Sequence, residues 1–451
     1  MENRSENKMG TLPVKRLILF MSLPMMVSML VQALYNVVDS IFVARLSENA
    51  LTAVTLVFPI QTLMISVSSG TGVGVNALLS KALGEKRYER SDMAAGCGLL
   101  LTFFSSLVFF LVGWFGAKPF LMTQTTDPEI LLYGETYMRI CCCICFGLFF
   151  QVMLERLLQS TGRTLYSMIS QGTGAIINII FDPIMIFGLL GFPPMGVAGA
   201  AYATVLGQCV ASVLGLVLNL KYNSDIHFSR NTILHPDLTV IKDIYLVGIP
   251  SILMMSIGSL MTYLMNKILI TFSTTAAAVF GVYFKLQSFF FMPVFGLNNG
   301  LIPVLAYNYG AKKKARINEA LKFSVFLALG IMLTGTFVFE MFPEYLLSLF
   351  SASDEMLRIG VPALRIICTC FPVAAVCIVL GSTFQAFSQS IYSLIVSVMR
   401  QLVALIPAAW LLSLTGNINN VWWAFPIAEV MSLIFSLIFF RKIYDDVIKD
   451  L

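Results

Sequence analysis

Apolar runs of about 20 residues or more recur about twelve times along the chain, and each can cross roughly 30 Å of hydrocarbon as a helix. They lie near 17–44, 51–79, 93–115, 131–155, 165–190, 196–219, 241–270, 276–308, 317–341, 357–384, 391–413 and 420–440. The most polar internal stretch, 220–240, carries Lys221, Asp225, His227, Arg230, His235, Pro236 and Asp237 and separates six runs from six. The pattern predicts an all-α integral membrane protein of twelve transmembrane helices. Its parts are an N-lobe at 1–219 (helices 1–6), a cytoplasmic inter-lobe linker at 220–240 and a C-lobe at 241–451 (helices 7–12).

The halves repeat each other at a constant distance of 226 residues. Pro24 and Pro250, Gln61 and Gln287, Gly70 and Gly296, Gly74 and Gly300, Gly84 and Gly310, and Tyr166 and Tyr392 keep that register without a gap. An even number of spans per half brings both halves into the membrane from the same side. The expected architecture is therefore two six-helix bundles related by a pseudo-two-fold along the membrane normal. Homologous bundles that face each other suit an alternating-access carrier, because the cleft between them can open to either side in turn.

Composition and charge refine this picture. With 58% hydrophobic and 12% charged residues, the chain lies far from soluble proteins, in which about 25% of residues are charged. Basic residues accumulate in cytoplasmic loops. Arg4, Lys8, Lys15 and Arg16, then Lys81, Lys86, Arg87 and Arg90, then Lys312, Lys313, Lys314 and Arg316, and finally Arg441 and Lys442, all fall on one side. Both termini are thus expected in the cytoplasm, and the net charge of +5 follows from this topology rather than from a nucleic-acid surface.

Catalysis finds little support. The two histidines, His227 and His235, share the linker, and no HExxH or GxSxG pattern occurs. The nine cysteines lie in apolar segments, and the Cys141, Cys142, Cys143, Cys145 cluster has no histidine beside it. It is expected to pack as small hydrophobic residues rather than to ligate metal.

Intramembrane charge is costly, about 2.5–3.5 kcal/mol per carboxylate on insertion scales, so each instance calls for a reason. Asp39 falls within the first span, Asp182 within the fifth and Glu429 within the twelfth, with Lys285 and Arg400 as basic counterparts in the eighth and eleventh. Ser28, Gln32, Asn36 and Asp39 recur at steps of four, four and three along the first helix, and Asn178 stacks one turn before Asp182 on the fifth. Carboxylate and amide on each of two helices make a candidate ion site. Two carboxylates in one dehydrated pocket titrate as a coupled pair and can exchange a proton as the pocket dries and rewets. The same oxygen donors at Asp39, Asn178 and Asp182 also suit Na⁺. Gln32, Tyr35, Asn36, Gln61, Met255, Lys285 and Gln287 are the candidates for lining a substrate cavity, with methionine and aromatic side chains as its adaptable apolar walls.

Leu23-Pro24 followed by Tyr35-Asn36-Val37-Val38-Asp39-Ser40-Ile41-Phe42-Val43-Ala44-Arg45-Leu46 resembles the first-helix signature of the multidrug and toxic compound extrusion (MATE) family. Asn178-Ile179-Ile180-Phe181-Asp182-Pro183 and Gly196-Val197-Ala198-Gly199-Ala200-Ala201-Tyr202-Ala203-Thr204 resemble its fifth- and sixth-helix motifs, in the pattern of the MepA-like bacterial branch. The resemblance spans essentially the whole chain. It implies an H⁺- or Na⁺-coupled antiporter of drug-like organic, often cationic, compounds in a bacterial cytoplasmic membrane, working as a monomer without a cofactor. It further implies a cation site at Asp39, Asn178, Asp182 and Thr204, and a first-helix hinge at Pro24. NorM-like relatives place carboxylates in the seventh, eighth and tenth helices. Here no Asp or Glu occurs between Asp243 and Glu319 or between Glu355 and Glu429, so coupling is expected in the N-lobe. The alternative within the same superfamily is a flippase of lipid-linked precursors, whose anionic substrates call for several intramembrane basic residues.

Overall fold

A computed structural model of the chain describes residues 6–350, 352–449 and 451; Arg4 of the basic N-terminal set lies outside them. Among the described residues, ten helices are long and apolar enough to span a membrane: α1 (Val14–Ala44), α2 (Glu48–Gly84), α3 (Tyr88–Met122), α5 (Thr164–Phe187), α6 (Val197–Tyr222), α7 (Leu238–Ile270), α8 (Thr274–Gly310), α9 (Lys314–Met341), α11 (Ser390–Ser413) and α12 (Ile418–Ile448). Two further spans are broken. In α4, Pro128–Cys143 and Phe146–Ser160 meet at 45°, and in α10, Asp354–Cys368 and Phe371–Ala386 meet at 49°. With each bent pair counted as one span, the total is twelve.

Local chemistry repeats with the helices. Ser47 caps α2 by accepting from the Ala50 N–H (3.0 Å), and Ser273, 226 residues on, caps α8 through Ala276 (3.1 Å). Asp127 caps α4 through Glu129 (2.8 Å), and its counterpart Ser353 caps α10 through Met356 (3.2 Å). Each cap satisfies one of the orphan N–H groups of a helix start. The ends of α2 and α8 close in the same way: Lys86 (φ 59°) and Lys312 (φ 56°) adopt the left-handed conformation. The next N–H then reaches back five residues, from Arg87 to Ala82 and from Lys313 to Asn308, at 2.9 Å in both cases. Inside α1, Pro24 has no N–H to offer the Phe20 carbonyl, and the Thr164 hydroxyl on α5 donates to that oxygen at 3.3 Å.

Among the described residues, the packing between the lobes gathers at one end. There α1 packs on α8 and α2 on α7, and the core runs continuously from Leu17, Ile18 and Leu79 of one half to Val247, Leu301 and Leu305 of the other. A second apolar cluster, built on Val43, Ala50, Val57, Leu121, Tyr137, Ile186 and Val197, belongs to the N-lobe alone. The repeated glycines explain the close contact. A Cβ at Gly84 would stand 2.0 Å from the Tyr307 carbonyl oxygen, and one at Gly310 would stand 2.2 Å from that of Lys81. Lys81 and Tyr307 are themselves 226 apart, so the two contacts are mirror copies across the pseudo-two-fold. Gly74 meets the Ile244 carbonyl oxygen at 2.2 Å, and Gly296 meets the backbone of Met26 at 2.5 Å, in the same fashion. The N-terminal segment adds a strap at this end. Arg316 on α9 donates to the carbonyls of Met9 (3.0 Å) and Leu12 (2.7 Å), and Lys313 pairs with Glu6 at 2.7 Å.

Candidate functional site

The N-lobe site is built from α1, α5 and α6. Asp182 is fully buried on α5, and Asp39 on α1 is half-buried and in hydrogen-bond contact with it. Two full negative charges so close repel each other, so the contact is favourable only with a proton or a small cation between the carboxyl groups. Asn178, one turn before Asp182, bridges to α6. With its amide nitrogen turned to the Asp182 carboxylate (3.3 Å), its oxygen accepts from the Thr204 hydroxyl and the Thr204 backbone N–H, both at 3.2 Å. The four residues implied by the motifs, Asp39, Asn178, Asp182 and Thr204, therefore come together.

Close helix packing makes this bridge feasible. A Cβ on Gly207 of α6 would lie 2.5 Å from the Gly174 carbonyl oxygen of α5, so the two backbones approach to a distance that side chains would forbid. One carboxyl oxygen of Asp39, Oδ1, is buried with no hydrogen-bond donor. An orphan acceptor beside three further oxygen-bearing side chains fits either a proton or a small hard cation. Three or more His, Cys, Asp or Glu side chains are nowhere clustered for a metal among the described residues.

The polar stripe on α1 continues toward the closed end. Ser28 hydrogen-bonds Gln171 of α5, and the Gln171 amide donates to Gln32 at 3.0 Å. Each helical residue advances about 100°, so Gln32 and Asp39 stay within about 40° of Ser28 whereas Asn36 is turned about 80° away and is exposed. Gln171 escaped the sequence reading, although it lies seven residues before Asn178 and eleven before Asp182, on the same face of α5. Tyr137 was missed as well. Its hydroxyl accepts from the Gln61 amide at 3.2 Å, and it lies within electrostatic range of Asp39, as does the half-buried Tyr35.

Other candidates lie elsewhere. Met255 on α7 is exposed and lines a cavity in the C-lobe, Lys285 on α8 is exposed, and Gln287 is half-buried. Of the cysteine cluster, Cys145 donates to the Ser106 carbonyl (3.2 Å), Cys142 faces the Met64 sulfur (3.7 Å), and Cys141 accepts from Gln61 (3.8 Å). In the C-lobe the intramembrane ions pair with each other, Arg400 Nη1 lying 3.4 Å from Glu429 Oε2.

Two lobes of six spans, packed together at one end, with a pair of carboxyl groups meeting between α1 and α5 in one of them, define a membrane carrier; the protein is a transporter and not an enzyme. The MatE family profile matches residues 24–184 and again 250–411, once in each repeat, and the chain belongs to that family. It is 23% identical over 440 residues to the multidrug export protein MepA of Staphylococcus aureus (strain MSSA476), covering 97% of this chain and 96% of that one. To MepA of Staphylococcus haemolyticus (strain JCSC1435) it is 25% identical over 415 residues, covering 91% and 89%. Its fold matches an outward-facing multidrug resistance MATE transporter of the MOP superfamily with a TM-score of 0.93, at 24% identity and full coverage of both chains. A MOP superfamily transporter from Pyrococcus furiosus matches with a TM-score of 0.92, at 24% identity and 99% coverage of both.

Proposed function

We propose that the protein exports organic, often cationic, drug-like compounds across a bacterial cytoplasmic membrane in exchange for a proton, by rocking its lobes about the closed end. The observation that carries this reading is the Asp39–Asp182 contact in the N-lobe, where carboxyl groups on α1 and α5 meet and can take up and release a proton as the site dries and rewets. The basic loops and the N-terminal strap lie at the closed end, which supports a cytoplasmic location for both termini and an outward-open state. MepA relatives named for multidrug export support the substrate class.

In this cycle, proton entry at Asp39 and Asp182 from outside weakens binding of the exported cation, and the return stroke carries the proton inward. One charge crossing 100 mV is worth about 2.3 kcal/mol, and each pH unit about 1.4 kcal/mol. Together these sustain gradients of several hundred-fold for a neutral substrate, and the pH difference alone sustains about tenfold where a monovalent cation leaves for each proton. The chain works as a monomer and needs nothing beyond its coupling ion. The test is ethidium efflux from reconstituted vesicles under separately imposed pH and Na⁺ gradients, with wild type beside Asp39→Asn and Asp182→Asn. Efflux driven by the pH gradient and lost in both variants is the expected result. Efflux driven by Na⁺ alone would reassign the oxygen cluster to Na⁺. No dye movement under either gradient, from folded protein, would sink the drug-export reading and turn attention to lipid-linked precursors.

A further inference from the structure

The C-lobe holds a cavity of about 290 Å³ that the coupling site does not use. Its walls include Met254 and Met255 of α7, Phe295 of α8 and Phe384 of α10, and its one charged lining residue among those described is Arg400. Arg400 sits at the start of a π-helical stretch of α11, Met399–Leu405, a local widening that often marks functional positions. Its side chain is 33% exposed, whereas Glu429 behind it is 8% exposed and does not line the cavity. The ion pair is a single contact at 3.4 Å, long beside the 2.7–2.9 Å of a tight charge-assisted bond. A guanidinium has five donors in a planar fork, so most of this one remains free to meet a ligand.

We infer that this cavity is a binding site for organic anions, in which a carboxylate or similar group docks on the Arg400 fork and a flat apolar body lies against the methionine and phenylalanine walls. Glu429 keeps the guanidinium in place from behind. The site is distinct from the N-lobe pair in charge as well as position, and it does not rest on proton coupling.

Rhodamine 110, which bears a free carboxylate, and rhodamine 123, its methyl ester, differ only at the group in question. Their binding is measured by fluorescence anisotropy to the full chain in phosphatidylcholine nanodiscs, with no gradient present. The expected result is a preference of about tenfold for the carboxylate, the worth of one good hydrogen bond to a charged group. That preference disappears in Arg400→Gln and is partly kept in Arg400→Lys. Because Arg400→Gln leaves Glu429 buried without its cation, the double variant Arg400→Gln with Glu429→Gln serves as a second probe that strands no charge. Equal binding of the two dyes to wild type, no binding of either, or a preference that survives in the double variant overturns the proposal. Loss of rhodamine 110 binding to the wild type when phosphatidylglycerol replaces phosphatidylcholine, with the signal of Arg400→Gln unchanged by the swap, supports the anion site and points to an anionic lipid headgroup as its occupant.

Discussion

The N-lobe and the C-lobe are copies of one helical plan carrying opposite chemistry. Shifting the proposed coupling residues Asp39, Asn178, Asp182 and Thr204 by 226 lands on Met265, Ala404, Ala408 and Val430, none of which holds a proton or a cation. The reverse shift takes Arg400 and Glu429 to Gly174 and Ala203. Gly174 is where α5 and α6 come close enough for Asn178 to bridge them, whereas the bulk of Arg400 occupies the matching place between α11 and α12. One small-to-large difference thus separates a packed pair of carboxyl groups from a cavity headed by a guanidinium. A shared fold brings homologous positions together, but it is side-chain volume and charge at a few of them that decide which lobe can couple to an ion.

The comparison predicts asymmetric responses, and the largest is in coupling. Asp39→Asn and Asp182→Asn should each slow gradient-driven efflux by about 100-fold, near the upper range of a coupling free energy, while the thermal midpoint of the purified protein stays put or rises because an amide replaces a carboxyl group that is costly to desolvate. A clear drop in that midpoint would make the pair structural. Next is the closed end, where Gly84→Leu and Gly310→Leu drive side chains into backbone and should cost about 1–3 kcal/mol of the closed contact. Spin labels at the exposed positions 86 and 312 report this as a longer inter-lobe distance, and an equal effect of the two substitutions is the signature of the pseudo-two-fold.

Glu429→Gln breaks a partly screened ion pair and is expected to cost about 1–2 kcal/mol of stability, read as a lower thermal midpoint, because one third of the Arg400 side chain still reaches solvent. Thr204→Val removes one hydroxyl from the N-lobe bridge and should weaken coupling about fivefold in the same vesicle assay. An unchanged gradient dependence would place Thr204 outside the site. The smallest effect belongs to the strap. The hydrogen bond and charge of Lys313 hold Glu6 below its ordinary value of 4.5. The contribution of the contact is therefore complete above that value and fades as the pH falls through the lower folded one. Glu6→Gln should slightly lengthen the 86–312 distance at pH 7, and the wild type should approach the variant only in acid.

Much of this was legible before any tertiary contact was known. Hydrophobic runs set the span count because a bilayer accepts only segments whose backbone is satisfied internally. The 226-residue register set the bundle symmetry, down to paired caps at Ser47 and Ser273. Asp39 and Asp182 stood out because an unpaired carboxylate is rare in a span, and helical spacing put Asn178 on the same face as Asp182. The sequence did not show the breaks in α4 and α10. Pro372 marks the break in α10, whereas α4 has Phe146 at the corresponding position and Gly147, a helix-loosening residue, beside it where it bends.

What the chain determined by itself is therefore local or periodic: which segments enter the membrane, how the halves repeat, and which residues are too polar to face lipid. Only the tertiary structure decided which of those polar residues meet. Asp39 and Asp182 are 143 positions apart and Arg400 and Glu429 are 29 apart, and no periodicity relates partners on different helices. Their meeting depends on how closely helices approach, a distance set by glycines such as Gly174 and Gly207 whose effect is felt by the neighbouring helix rather than their own. The same holds for the closed end, where the sequence displays six paired glycines and only the packing of α1 on α8 and α2 on α7 reveals that they are the surfaces on which the lobes close.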